Sequence, residues 1–340
     1  RAPKFLLASA RDAGSGPLDT NRDTWTTTLA VKALAAGGAE RPVDDARAAE
    51  IVRWLLDQQG AAEHPYTLAA PGAWAWTDLP GGVPDADDTP GALLALRILA
   101  PDAPAVRASA AAGVRWLVDL ANRDGGVPTF CRGFGRLPFD RSSPDLTAHA
   151  LRAWRAWRDD LDLPLRRQVD AARAAAVRYL VATQAADGSW TPLWFGNQRA
   201  PREESPLYGT AQVVLALLDE TGDDDRARDA TARAVRWIVA AQGDDGGFGG
   251  APGTPPSIEE TGVALSALAE ARRREETAPL VPDRALSAAI DHLASATRGG
   301  EAFPAAPIGL YFARLWYAER LYPVLFTLGG LESASAAIGP

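Results

Sequence analysis

The chain has 340 residues, 47% of them hydrophobic, with a net charge of −8 and a pI near 5.1. That balance supports a sizeable core in one large domain or two ordinary ones, and it argues against nucleic acid as a partner. A single cysteine, Cys131, excludes an intramolecular disulfide and a thiolate zinc cluster, so a reducing cytoplasm is the expected compartment.

No run approaches the length of a membrane-spanning helix, and the N-terminus has no signal-peptide pattern. The sequence contains no methionine, not even at position 1, which suggests a fragment or trimmed product with residues missing upstream.

Along the chain one unit recurs. Pro3-Lys4-Phe5-Leu6 is a degenerate first copy. Val52-Arg53-Trp54-Leu55, Val114-Arg115-Trp116-Leu117, Val177-Arg178-Tyr179-Leu180 and Val235-Arg236-Trp237-Ile238 are clear ones, and Ile290-Asp291-His292-Leu293 is the last. Several run on to Asn or Gln and then Asp-Gly, as in Gln184-Ala185-Ala186-Asp187-Gly188-Ser189-Trp190; glycine after the last periodic residue stops a helix. A second unit, Thr-x-x-Ala/Val-x-x-Ala-Leu/Trp, alternates with the first and starts at Thr27, Thr89, Thr147, Thr210 and Thr261. Its apolar spacing describes a helical face. Each repeat is therefore two helices, one amphipathic and one nearly all apolar. Pro307 to Leu328 is expected to supply a sixth apolar helix, beginning near Ile308. Six of each predict an all-α fold, an (α/α)6 barrel of alternating inner and outer helices, with an open solenoid as the alternative.

Aligning the apolar helices on threonine makes positions comparable. Two residues before it stand Trp25, Asp87, Asp145, Tyr208 and Glu259. A purely structural slot would hold one residue type, whereas this one mixes two aromatics with three acids. Asp87 belongs to Pro84-Asp85-Ala86-Asp87-Asp88-Thr89, three carboxylates in four residues at a helix entrance. Carboxylates that close cannot all ionise, so one is held protonated near neutral pH. Such a carboxyl could protonate an alkene or epoxide. An ordinary acidic helix start explains the segment equally well when it is read alone.

Two residues after Thr147 comes His149, one turn inside the barrel, within reach of that cluster to orient its proton. His292 sits in an aromatic packing slot and His64 in a loop, so neither is expected to do chemistry. No set of His, Cys or Asp has zinc spacing, and no Gly-rich phosphate loop follows a strand. Aromatics crowd the loops entering the apolar helices: Trp74 and Trp76, Phe130 and Phe134, Trp190, Trp194, Phe195 and Tyr208, then Phe303, Tyr311, Phe312, Trp316 and Tyr317. Some are core. Aromatic faces beside a strong acid also suit carbocations, which they stabilise without offering a base or nucleophile.

On these residues the chain resembles the catalytic domain of class II terpene cyclases, squalene–hopene cyclase in particular. The carriers are Asp85-Ala86-Asp87-Asp88-Thr89, similar to the family's Asp-x-Asp-Asp-Thr motif, and Gln184 to Trp190, similar to its Gln–Trp repeats. Pro144 to His149, Leu207 to Thr210 and Leu321-Tyr322-Pro323 add to them. The resemblance spans essentially all 340 residues as a single catalytic barrel domain, and implies a second α-barrel missing upstream. It implies that Asp87 donates the proton, that Asp85 and Asp88 tune it, and that His149 hydrogen-bonds it. It further implies that Trp25, Trp76, Phe130, Trp194 and Tyr208 line the substrate cavity, with Tyr311 assigned there too. Three departures bear on product and substrate. Trp76 and Phe130 stand where hopene-forming enzymes carry Phe and Tyr, an insertion runs from Arg199 to Pro206, and Ile308 to Tyr317 breaks the family's aromatic spacing.

The implied activity is protonation-initiated cyclisation of a linear polyprenoid such as squalene, an isomerase reaction without cofactor, in a cytoplasmic protein in peripheral contact with a membrane. A prenyl-diphosphate cyclase is the alternative. It would need Mg²⁺ and basic residues, for which Arg22, Arg132, Arg136, Arg141, Arg199 and Arg202 in loops are candidates. A non-catalytic binding barrel is the third reading. A charged His149 is expected to stabilise the carboxylate that proton transfer leaves behind.

Overall fold

Each amphipathic helix starts where its sequence supplies a cap. In the computed structural model, which describes residues 21–39, 42–130, 138–193, 195–220 and 224–339, Asp44, Asp162 and Asp224 accept hydrogen bonds from backbone N–H groups of the first turn. These open α2 (Asp45–Gln58), α6 (Leu163–Thr183) and α8 (Asp225–Ala240); α4 (Pro104–Leu120) starts on a proline, and α10 (Asp283–Ala296) follows one. The apolar helices are α1 (Asp23–Leu34), α3 (Asp88–Leu99), α5 (Pro144–Trp157), α7 (Pro206–Leu217), α9 (Ile258–Arg272) and α11 (Tyr322–Ile338).

The six apolar helices close on themselves. Each packs on the next, from α1 through α3, α5, α7 and α9 to α11, and α11 returns to α1. That closure rules out the open solenoid and makes them the inner ring. Five amphipathic helices surround it among the described residues; the Phe5 copy lies outside them.

Two repeated contacts explain the repeated letters. The threonine of four inner helices stitches down the loop that enters its helix. Backbone N–H groups of Trp74, Val127, Trp190 and Phe248 donate to Oγ1 of Thr89, Thr147, Thr210 and Thr261, at 2.8 to 3.1 Å. The glutamine that ends an outer helix clasps the next outer helix. Gln59 donates to the carbonyls of Gly72 and Ser109, Gln184 to those of Gly188 and Ala230, and Gln242 to those of Gly246 and Ala285. The Asp-Gly turn must come close for this. Gly246 has φ 81°, and a Cβ there would run into the Ala288 carbonyl, so only glycine fits. Trp74 and Trp190, fully buried, donate their indole N–H to Leu55 and Leu180 carbonyls and pin the loops to the outer helices.

The last inner helix corrects the sequence reading. It begins at Tyr322, not near Ile308. Ile308–Leu310 (β4) and Leu315–Tyr317 (β5) form an antiparallel hairpin, and β4 also pairs with Phe195–Asn197 (β3). The physical reason is local and distant at once. Arg314 turns the chain in the left-handed region at φ 49°, and the free strand edge at β3 satisfies backbone groups that a helix would have paired internally. Val127–Pro128 (β1) and Ser142–Ser143 (β2) make a second short pair beside the α5 entrance.

Candidate active site

The threonine stitch fixes the rotation of four inner helices, so the residues two before it gather at one end of the barrel. Asp85, Ala86, Asp87 and Asp88 are all buried there. The chain arrives extended: Asp85 N–H donates to the Trp74 carbonyl at 3.0 Å, and Ala86 N–H to Thr129 at 2.8 Å. Asp85 Oδ1 then accepts the N–H groups of Asp87 and Asp88, at 2.9 and 2.6 Å. The acidic helix start and the acid cluster are thus both real and fall on different residues. Asp85 caps α3, which leaves Asp87 free of capping.

Asp87 Oδ1 lies 3.3 Å from His149 Nδ1. Burial, then the carboxyls of Asp85 and Asp145, hold the Asp87 pKa well above the ordinary carboxylate range, partly offset by Lys32. Asp88 is raised well above it for the same first reason, and its side chain donates to Asp85, whose own pKa is pushed up to about 7 by burial. Asp145, which accepts the Ser143 hydroxyl, is pushed up to about 6 by burial.

His149 departs from the expectation of a charged ring. Burial, then Lys32 and Arg152, push its pKa well below the ordinary value. Lys32 Nζ stands 3.2 Å from its Nε2. A neutral ring facing an ammonium must accept at Nε2 and carry its hydrogen on Nδ1, toward Asp87; this tautomer follows from the hydrogen-bond network. Gly91 lets α1 approach α3 beside the ring: a Cβ there would stand 2.8 Å from Thr28 Oγ1, with His149 Cε1 in ordinary contact at 3.8 Å.

The aromatic residues assigned from sequence sit around this end. Trp25 is buried and edge-on to His149, with ring centres 6.3 Å apart. Trp76 N–H donates to the Asp85 carboxylate, and its ring meets Phe130 at 6.1 Å. Phe130 bridges to Asp85 through the backbone and continues through Phe139 to Phe312. Tyr208 packs on Phe195 at 4.6 Å, and its hydroxyl feels the Asp87 and Asp145 carboxyls. Tyr311 is held farther out, its hydroxyl donating to the Pro192 carbonyl at 3.2 Å. Trp194 lies outside the described residues, as do Arg132, Arg136 and Phe134.

Four groups near the acid were not assigned to the site from sequence. Tyr317 and Tyr322 meet edge to face with ring centres 6.4 Å apart, and the Tyr317 hydroxyl feels Asp87; the hairpin brings Tyr317 in, so no helical register could place it. Lys32 and Arg152 were legible, since both stand five residues after a repeat threonine in otherwise apolar helices. Arg22, one of the loop arginines, stacks on Tyr317 at 3.8 Å and pairs with Glu319 at 3.4 Å.

Among the described residues, no group of three or more His, Cys, Asp and Glu is arranged to hold a metal ion. None of their helices is long and apolar enough to cross a membrane.

The chain is similar to known proteins in both sequence and fold. The family described as squalene-hopene cyclase C-terminal domain matches residues 22–271. Squalene–hopene cyclase of Alicyclobacillus acidocaldarius is 34% identical over 222 residues, 57% of this chain and 31% of that protein. Copalyl diphosphate synthase of Streptomyces cyslabdanicus is 31% identical over 245 residues, 72% of this chain and 38% of that protein. The chain thus spans well under half the length of the curated relatives it matches. Type II terpene cyclase MstE from Scytonema, solved with geranylgeranyl dihydroxybenzoate, shares the fold with a TM-score of 0.64 at 18% identity, covering 99% of this chain and 96% of that one. The chain belongs to the family of squalene–hopene cyclase C-terminal domains, the class II terpene cyclases.

Proposed function

We propose that this barrel cyclises a linear polyprenoid by protonating its terminal alkene or epoxide from Asp87. The observation that carries the reading is the buried Asp87 carboxyl, 3.3 Å from His149 and not used as a cap. Burial keeps the proton on Asp87 at neutral pH. On transfer, the Asp87 O–H bond breaks and the alkene π pair forms the new C–H bond, leaving a carboxylate and a carbocation. Asp85 anchors the loop, Asp88 shares a hydrogen bond with it, and His149 donates from Nδ1 to the carboxylate as it forms. Trp25, Trp76, Phe130 and Tyr208 supply ring faces for the cation.

We infer a substrate with a neutral head group. Relatives of both kinds match, since one is named for hopene and another for copalyl diphosphate. Of the loop arginines, Arg22 favours the neutral class, since it is partly buried and paired with Glu319 at 3.4 Å; Arg202 pairs with Glu204 at the surface, and Arg141 and Arg199 make no ion pair among the described residues. A diphosphate bound at Arg22 would have to displace Glu319 from it. Such chains partition into lipid, so peripheral membrane contact belongs to the reading. Tyr66 and Leu68, 85% and 68% exposed on one loop, offer a surface for it. Mass spectrometry of products from squalene, farnesyl diphosphate and geranylgeranyl diphosphate, each with and without Mg²⁺, tests the reading. Cyclic product from squalene without Mg²⁺ is expected; turnover confined to diphosphates with Mg²⁺ would reverse the substrate assignment.

A further inference from the structure

The threonine register that gathers the acids also defines a deeper layer. Five residues after the threonine stand Lys32, Leu94, Arg152, Leu215 and Ser266, and all five line one cavity of about 390 Å³ at the other end of the barrel. The carboxylates of that cavity are already engaged: Asp219 with Arg155 and Arg274, and Glu270 with Arg273. Among the described residues, Lys32 and Arg152 pair with no carboxylate. A lysine near a helix end ordinarily points to water. Lys32 instead sets its Nζ 3.2 Å from His149 Nε2 and 5.4 Å from the centre of the Trp25 ring.

We propose that Lys32 is a positioning residue for the acid, fixing His149 as the Nδ1–H tautomer and supplying through it the positive charge that balances the Asp87 carboxylate. The proposal rests on the reading of Asp87 as proton donor. An ammonium has three donors and no acceptor, so Nε2 must accept from it. The single ring hydrogen then lies on Nδ1, 3.3 Å from Asp87 Oδ1. When the Asp87 O–H proton passes to the alkene carbon, neither His149 nor Lys32 gives up a proton. His149 donates a hydrogen bond to the new carboxylate, and the ammonium behind it contributes the opposite charge in a water-poor site. The groups facing Lys32 are Asp87 and Asp88 from the α3 entrance and His149 and Arg152 from α5. The two carboxyls favour its charge; burial and Arg152 oppose it and bring its pKa down to about 8.

The test reads the histidine ring directly. The chain has three histidines, so ¹⁵N-histidine NMR resolves them, and a His149→Gln variant assigns the signal. The wild type should show His149 neutral, with its hydrogen on Nδ1, from pH 5 to 7. Lys32→Arg should keep that state. Lys32→Met should mix the tautomers and let the ring protonate within that range. A wild-type ring that is an imidazolium, or that carries its hydrogen on Nε2, overturns the proposal, as does a Lys32→Met spectrum identical to wild type. The wild-type spectrum decides even if Lys32→Met does not fold. With squalene as substrate, Lys32→Met should lower kcat at least a hundredfold with KM unchanged, and Lys32→Arg should recover at least tenfold of it. Loss of wild-type turnover together with the expected spectra would refute the cyclase reading and leave the Lys32–His149 link standing; normal kcat in Lys32→Met would refute the charge role.

Discussion

Replacing Asp87 with asparagine separates the chemistry of the site from its architecture. The amide has the carboxyl's shape and can still accept from His149 Nδ1, the one side-chain hydrogen bond Asp87 makes among the described residues. It has no proton acidic enough to give to an alkene. Turnover of squalene should fall at least 10⁴-fold, a barrier increase of about 5 kcal/mol or more at 1.36 kcal/mol per decade. Stability should move the other way. Asp87 has a folded pKa raised well above its unfolded value of about 3.9, so the folded state holds the proton more tightly. Its stabilising contribution is full below the unfolded pKa and is lost as pH rises toward the folded one, at about 1.4 kcal/mol per pH unit. Between pH 4 and 6 the wild type should therefore lose up to about 2.7 kcal/mol that Asp87→Asn does not lose. Calorimetric Tm values of both proteins at the two pH values, beside product analysis under single-turnover conditions, read the two effects. Turnover within tenfold of wild type would refute Asp87 as the donor. A Tm difference that does not shift in the variant's favour as pH rises would refute its burial as a protonated group.

Three further outcomes are expected. Tyr208→Ala should leave protonation intact and divert the cascade, since a cation passing it loses about 1–2 kcal/mol of stabilisation; gas chromatography should show truncated or rearranged products rather than none. Gln184→Ala removes two hydrogen bonds of 2.8 Å and should cost about 2 kcal/mol in urea unfolding, with no change in product identity. Gly91→Ala forces its new Cβ against Thr28 Oγ1 and should cost about 1–3 kcal/mol, measured as a lower thermal midpoint.

The features legible in the sequence are those the repeat dictates. Thr89, Thr147, Thr210 and Thr261 recur because each makes the same stitch, and aligning on them puts Asp87, Asp145 and Tyr208 in one layer before any coordinate is known. Gln59, Gln184 and Gln242 recur because each clasps a neighbour. What could not be read depends on partners far apart in the chain. Ile308 to Tyr317 has apolar spacing that fits a helix, yet β4 pairs with a strand more than 100 residues earlier, and that edge exists only once the barrel has formed. The surroundings that work against a charged His149 were hidden for a related reason. A histidine beside aspartates is expected to be charged, but closure of the ring buries it and brings Lys32 to it from 117 residues away, and both lower its pKa.

The direction of the inner helices carries one more consequence. Their later turns all contribute to the far cavity, and their first turns hold the acids, so the six run the same way. Each helix N-terminus acts as roughly half a positive charge, from aligned peptide dipoles and unpaired N–H groups. Six such ends converge on the layer of Asp87, Asp145 and Glu259. Their field favours carboxylates over carboxyls and works against the burial that keeps Asp87 protonated, so the proton is retained yet ready to leave. The same field is repulsive to a carbocation. If Asp87 is the proton donor, the helix ends oppose the pull of its new carboxylate on the cation and so ease the cation's passage toward the aromatic faces.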